Sequence, residues 1–353
     1  MKKRIGMLIH TNQVLTSFGS LINELKKNNF LVYFFVNADP SIKPDINPCL
    51  HPQHIKKFPY DRLLWYKDNK ELAKQIEDND VSAILTVELQ PLLHAPEFFK
   101  NRTYKIYNFV HNVNNWHTKG VELGILDKTF VGYEKYGEYF GWDKKDYLAL
   151  GLPRFDGIVN FSKEEIQRKY DLPKKFILIF APNNNQLNWY MVYRVAQEVK
   201  RSGYEVVIKG KYPKCAKFVY HFLANKYFLN DISFYPFISY ELVYASDGVI
   251  GFDTTAVEEV LMCSRSMVNF SIKSYRDREE KDGLFKPLKA LWNSDFCLDI
   301  PLKGYNFFGI FKKLPKFMNF FSKKINYKKI QTELVTRPGG ASERVVEWLS
   351  QEV

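Results

Sequence analysis

Apolar runs rich in β-branched and aromatic residues recur between segments of helical spacing along most of this chain, and that alternation is what most limits its fold. Strands are predicted at residues 4–10, 30–37, 81–87, 104–111, 129–132 and 147–150, with helical spacing at 18–27 and 69–77. A second block repeats the pattern. Its predicted strands are 176–181, 205–209, 232–235, 248–252 and 266–270, and its helices 187–201, 213–228, 240–245 and 254–263. Alternation of this kind gives parallel sheets, because each crossover helix must lie on a sheet face. Two blocks in tandem predict an α/β chain of two doubly wound, Rossmann-like domains facing a cleft. The stretch from Tyr147 to Pro182 marks the junction: a strand, a Gly-Leu-Pro turn, a charged helix, then a new apolar strand. The predicted domains are 1–150 and 151–300, followed by a basic aromatic segment at 301–330 and a loop and helix at 331–353.

The bulk properties agree with two domains. At 353 residues the chain exceeds what one hydrophobic core usually holds. Its four cysteines, Cys49, Cys215, Cys263 and Cys297, are far apart and form no CxxC pair, which excludes a zinc ribbon or disulfide framework and suits a reducing compartment. The opening apolar run stops at His10, too short for a secretory leader, and no run approaches the roughly 20 apolar residues of a membrane span. The expected location is cytoplasmic.

Ligands of doubly wound sheets sit beyond the carboxyl ends of the strands. That rule singles out a few polar segments. In Gly251-Phe-Asp-Thr-Thr-Ala-Val-Glu-Glu259 a strand runs into Asp253, and Thr254 and Thr255 open a predicted helix. Free N–H groups and the helix dipole suit a phosphate there, with Glu258 and Glu259 one turn on to accept from ribose or sugar hydroxyls. The same spacing, Thr255-x-x-Glu258, is also a capping box that binds nothing. His111 ends a strand and is followed by a loop carrying Asn112, Asn114, Asn115, His117 and Lys119; a histidine there suits a general base, or a plain bond to a carbonyl. Asn183 to Asn185 follow another strand, and Lys209 stands where it can neutralise a diphosphate or simply be solvated. Arg154 lies at the junction, within reach of the cleft or of Asp156. His10 ends the first strand, but the loop after it lacks the glycines of a dinucleotide fingerprint, which disfavours a Rossmann dehydrogenase. Asp78-Asn-Asp80 reads as a turn, and no HExxH, GxSxG or P-loop pattern occurs.

Taken in order, four of these features resemble the CDP-glycerol glycerophosphotransferases of teichoic-acid synthesis and, more broadly, the GT-B glycosyltransferases of bacterial surface polysaccharides. They are the strand ending in His111 with Lys119 and Gly120 behind it, Gly151-Leu-Pro-Arg-Phe-Asp156, the strand running to Ala181-Pro182, and Ala245 to Thr255. They span roughly residues 104–270. The resemblance implies a GT-B transferase moving a sugar or alditol phosphate from a nucleotide-activated donor to a glycan or lipid-linked acceptor, without a further cofactor and without a metal. It implies His111 as acceptor base, with Asp253, Glu258 and His117 next in line, and Asn183, Lys209, Thr254, Thr255, Glu258 and Glu259 on the donor. His10, Lys119 and Arg154 complete the cleft candidates. The chain departs from the family at Asn112-Val-Asn114, Asn183 to Asn185, Lys209-Gly210 and Asp253-Thr-Thr255, so a CMP- or UDP-linked sugar suits it as well as a glycerol-phosphate donor. It also resembles UDP-N-acetylglucosamine 2-epimerases in overall order, although their Asp-Ser-Gly-Gly turn is absent; a non-catalytic GT-B domain that only docks at a membrane is the other alternative.

Residues 303–330 hold eight lysines, eight aromatics and no acid, and so supply two-thirds of the net charge of +12. Phe307, Phe311, Leu314, Met318, Phe321 and Ile325 recur at helical spacing, with Pro315 dividing two short helices. Lysines round an aromatic face suit an anionic membrane surface, and predict a peripheral protein on the inner face of the cell membrane. Packing of the aromatics on the N-terminal domain is the alternative. No nucleic-acid module accompanies them.

Overall fold

The computed structural model describes residues 2–9, 12–38, 55–56, 58–87, 89–110, 116–182, 189–210, 223–228, 238–252, 254, 256–272, 290–302, 317–334 and 339–353. The chain divides into two compact units. One comprises Met1–Gly157, Phe234–Pro236 and Val335–Val353, the other Ile158–Ser233 and Phe237–Leu334.

The first unit is built on seven strands: β1 (Arg4–Ile9), β2 (Leu31–Asn37), β3 (Arg62–Tyr66), β4 (Ala83–Thr86), β5 (Lys105–Phe109), β6 (Lys128–Val131) and β7 (Tyr147–Ala149). They are all parallel and lie in the order β3-β2-β1-β4-β5-β6-β7. β1 and β2 are buried on both faces, which is why they read as continuous apolar runs rather than alternating ones. On one face Ile5, Met7, Phe34 and Leu85 pack against Val14, Phe18, Leu21 and Leu25; on the other Leu8, Phe35 and Ile84 meet Leu72, Ile76 and Phe99. A single helix predicted over 18–27 is instead two, Asn12–Phe18 and Leu21–Lys27. Gly19 breaks it with φ +52°, and a Cβ there would lie 2.4 Å from the carbonyl oxygen of Pro153.

The helix Ala341–Glu352 belongs to this first unit. Val345, Val346 and Leu349 enter its core, and the Trp348 ring meets Tyr107 and Phe130 edge-on at 5.0 and 5.2 Å. Its N-terminus is capped from a distance. The Asp156 carboxylate accepts from the Ala341 and Ser342 N–H groups at 2.9 and 2.8 Å, and from the Ser20 hydroxyl at 3.0 Å. Ser20 and Ser342 are themselves bonded at 2.7 Å. Asp156 thus holds the entries of two helices together.

The second unit carries β8 (Phe176–Phe180), β9 (Glu205–Lys209), β10 (Lys226–Phe228), β11 (Gly248–Phe252), β12 (Met267–Ile272) and β13 (Cys297–Leu302). The order is β10-β9-β8-β11-β12-β13, again all parallel. Counted within the unit, this is 3-2-1-4-5-6, the doubly wound order, and the first six strands of the other unit follow it too. One face packs Ile177, Ile179, Ile208, Ile250 and Phe270 on the helix Trp189–Arg201. On the helix Ile238–Ala245, Glu241 is buried, and a buried carboxylate must be paired. Lys169 reaches both its oxygens at 2.9 Å and Tyr170 donates its hydroxyl to it. Burial, and then that bond, push the Tyr170 phenol up to about 12.

Three expectations are corrected here. The end of the helix predicted over 213–228 is strand β10, and the rest of that span before 223 lies outside the described residues, as does the strand predicted at 232–235. The helix predicted from Thr254 begins only at Val257 and ends at Met262, because the Thr254 hydroxyl accepts from the Ala256 N–H at 3.2 Å and forms a local turn first. In the basic segment, Phe317 and Met318 are buried and Phe320 and Phe321 are packed in the core of the second unit, not on the N-terminal domain. Lys323, Lys324, Lys328 and Lys329 stay exposed, and residues 303–316 lie outside the described set. No described helix is long and apolar enough to cross a membrane.

Candidate functional site

A doubly wound sheet has one topological switch point, where chain connections leave in opposite directions and open a crevice at the carboxyl edge. In the second unit this lies between β8 and β11. The segments leaving that point are Ala181-Pro182-Asn183 and Asp253-Thr254, two of the polar stretches singled out from the sequence. Asn183, Asp253 and Thr255 lie outside the described residues; Thr254 does not. Lys209 ends β9, the neighbour of β8, and is 7% exposed. Its carbonyl accepts from the Ala181 N–H at 2.8 Å, tying the β8 exit to the β9 exit. Lys209 and Thr254 therefore share one edge of one sheet, two strands or about 10 Å apart. Glu258 and Glu259 are half-buried in the first turn of the helix Val257–Met262.

The same edge holds buried polar groups that the sequence reading passed over. In register across three strands stand Gly251, Asn269 and Asp299. The Asn269 amide donates to the Asp299 carboxylate at 2.9 Å, and the Ser271 hydroxyl bonds it at 3.3 Å. Asn269 and Ser271 are fully buried. Because Asn269 must turn its NH₂ toward a carboxylate, its carbonyl Oδ1 faces the other way, and that buried oxygen has no hydrogen-bond partner among the described residues. It lies 3.6 Å from where a Gly251 Cβ would be, while Thr254 Cγ2 lies only 2.4 Å from the same point. A Cβ at 251 would therefore crowd the Thr254 side chain where the turn folds back over the strand end. Asn269 and Ser271 each bond one oxygen of Asp299, which makes the seam a buried polar link between β12 and β13. Its signal was the Asn-x-Ser alternation on β12, matched by an Asp on β13.

In the first unit the switch point lies between β1 and β4, and His10 follows β1 directly. His10 and His111 lie outside the described residues. His117 opens the helix Trp116–Glu122 with a ring that is 3% exposed. It stacks on Trp142 with centroids 3.8 Å apart, and its Nδ1 shares a 2.7 Å bond with the buried Thr129 hydroxyl. Burial lowers its pKa from 6.5 to about 4, so the ring is neutral near pH 7. Lys119, two residues on, is exposed. Arg154 is buried with its guanidinium 4.6 Å over the Phe155 ring, while both oxygens of Asp156 go to the helix entries described above. Among the described residues no group of three metal-ligating side chains gathers.

The His117 site carries a stability consequence with a definite sign. An unfolded histidine takes a proton near pH 6.5 that the folded ring takes only near pH 4, so this contribution is full above 6.5 and is lost as pH falls. Between pH 7 and pH 5 the loss is expected to be about 2 kcal/mol, at about 1.4 kcal/mol per pH unit once the unfolded histidine is charged. Urea unfolding of wild type and His117→Gln across that range measures it: the variant should show a curve flatter by that amount. Parallel curves would rule the assignment out.

Comparison with known proteins bears on the fold. No protein-family model matches the chain, and no curated protein matches it. Among solved structures it is similar to a UDP-N-acetylglucosamine 2-epimerase from Listeria monocytogenes, with TM-score 0.64 and 12% identity over 100% of this chain and 97% of that one. It is similar to the UDP-GlcNAc 2-epimerase of Neisseria meningitidis bound to UDP-GlcNAc, with TM-score 0.64 and 13% identity over 99% and 100% of the two chains. It is also similar to the wall teichoic acid polymerase TagF, with TM-score 0.62 and 15% identity over 99% and 88%. The chain has the two-sheet α/β fold of the GT-B type shared by these epimerases and transferases.

Proposed function

We propose that this chain is a sugar-nucleotide enzyme of the GT-B type, whose second unit holds a nucleotide-activated donor at the β8/β11 switch point. The observation that carries this reading is the strand order. It puts Thr254 and the segment leading to Asn183 at the one place where doubly wound sheets take ligands, with Lys209 on the next strand. The lysine supplies positive charge for phosphates. Transfer to a glycan or lipid-linked acceptor is the leading reaction, with His111 as base, in keeping with the motif resemblance around His111 and Gly151 to Asp156. Epimerisation of a UDP-sugar is the second reading, favoured by the epimerase folds among the neighbours and opposed by the absent Asp-Ser-Gly-Gly turn. For a lipid-linked acceptor, contact with an anionic bilayer would run through charge on residues 303–330, since Phe317 and Met318 are already buried.

Calorimetric titration with CDP-glycerol, CMP-sugars and UDP-sugars tests the donor site. One class is expected to bind, and Lys209→Met combined with Thr255→Val should raise its Kd at least roughly tenfold, about 1.4 kcal/mol. An unchanged Kd would dispose of the site. Product analysis with and without an oligosaccharide acceptor separates the reactions, because transfer needs an acceptor and epimerisation does not.

A further inference from the structure

The first unit holds a cavity of about 510 Å³ that no residue of the donor site enters. It opens at the carboxyl ends of β2 and β3, and Asn37, Tyr66, Lys67, Lys70, His94 and Phe98 line it. Its size falls within the range of small-molecule sites. It also lies on the edge where this fold takes ligands, two strands or about 10 Å from the β1/β4 switch point.

The lining has a definite chemistry. Phe98 is 40% exposed and gives the lining an accessible aromatic face. Around it stand groups that donate hydrogen bonds. Tyr66, 1% exposed, forms part of the wall with its side chain in the core. Lys67, Lys70 and His94 are exposed. The lining also holds one carboxylate, Asp68, whose Oδ1 accepts from the Glu71 N–H at 2.8 Å, so two lysines stand against one acid. The shape is held open from below, where the Asn69 amide bonds the Pro91 carbonyl at 2.9 Å. An aromatic face beside cations and amides suits a sugar ring, with an apolar C–H face and a polar rim, carrying a negative group.

We infer that this cavity is a subsite for an anionic saccharide, seating a ring of the acceptor glycan remote from the reacting hydroxyl, with Lys67 and Lys70 drawing its carboxylate or phosphate. This rests on the transferase reading above. A short acceptor that reaches only the β1/β4 crevice would not touch the subsite, so its contribution is to affinity for longer acceptors.

The full chain, free of donor, is titrated by calorimetry with a uronic-acid tetrasaccharide, an oligo(glycerol phosphate) and neutral chitotetraose. One of the two anionic oligomers is expected to bind at millimolar concentration or below, and which of them does identifies carboxylate or phosphate. Phe98→Ala and Lys67→Gln/Lys70→Gln should each weaken it roughly fivefold or more, about 1 kcal/mol. Lys144→Gln/Lys145→Gln, exposed charges of the same unit outside the cavity, should leave it unchanged. Equal weakening by that control, binding of the neutral oligomer as tightly as the anionic ones, or no binding of either anionic oligomer would each overturn the subsite. Nucleotide titration of the same samples keeps this apart from the donor site: a chain that binds nucleotide but no anionic oligomer loses the subsite alone.

Discussion

Replacing His111 by alanine is expected to lower turnover by roughly 10² to 10⁴ while leaving the donor Kd unchanged, the range for removal of a general base. In barrier terms that is about 3 to 5 kcal/mol. The expectation follows from position and chemistry. In sequence His111 follows Phe109, the last residue of β5, by two positions, and imidazole titrates near working pH. The other histidine of that segment, His117, is held by Trp142 and Thr129 and is buried as the neutral ring. Single-turnover rates with the donor found by titration, set beside the Kd of the same variant, decide the matter. Turnover close to wild type would move the base to Asp253 or Glu258.

Asp156→Ala should destabilise the first unit by about 3 kcal/mol, taking about 1 kcal/mol for each of the three hydrogen bonds lost. The substitution removes three hydrogen bonds at once and strips the helix Ala341–Glu352 of its cap. Two backbone N–H groups and the Ser20 hydroxyl lose their acceptor. Asp156→Asn, which keeps one acceptor oxygen, should cost about half as much. Hydrogen exchange of the 341–352 amides, together with urea unfolding, provides the measurement. The alanine variant should expose those amides long before the rest of the unit opens; protection equal to wild type would mean that core packing by Val345, Val346 and Leu349 holds the helix alone.

Much of the fold was legible because buried parallel strands leave long apolar runs. β9 and β11 fall on their expected bounds, and most others within two residues. The strands that escaped are at sheet edges. β3 is half-exposed, β10 has three residues, and β13 carries Asp299 and Pro301, which only an edge strand tolerates. The site was legible only in part. Residues after strand ends can be named from the order of elements, as Thr254 and Lys209 were. A buried seam such as Asn269–Asp299 depends on which strands become neighbours, and a polar alternation in one strand does not reveal that. Asp156 is 185 residues from the amide it caps, so its neighbours in sequence, Arg154 included, pointed to the wrong partner. His117 reads as a loop histidine until Trp142 is seen stacked on it.

The placement of the helix Ala341–Glu352 has a consequence for biogenesis. The core of the first unit lacks Val345, Val346, Leu349 and the ring of Trp348 until the ribosome has passed Leu334 and so finished the second unit. Domains made in order usually fold in order. Here the unit that is begun first is completed last, and during synthesis the apolar face that receives this helix stays open while the whole second sheet is being made. A nascent chain stalled before residue 339 would lack the helix Ala341–Glu352 and leave the core of the first unit uncovered, which makes that interval a period when a holdase chaperone has a surface to bind.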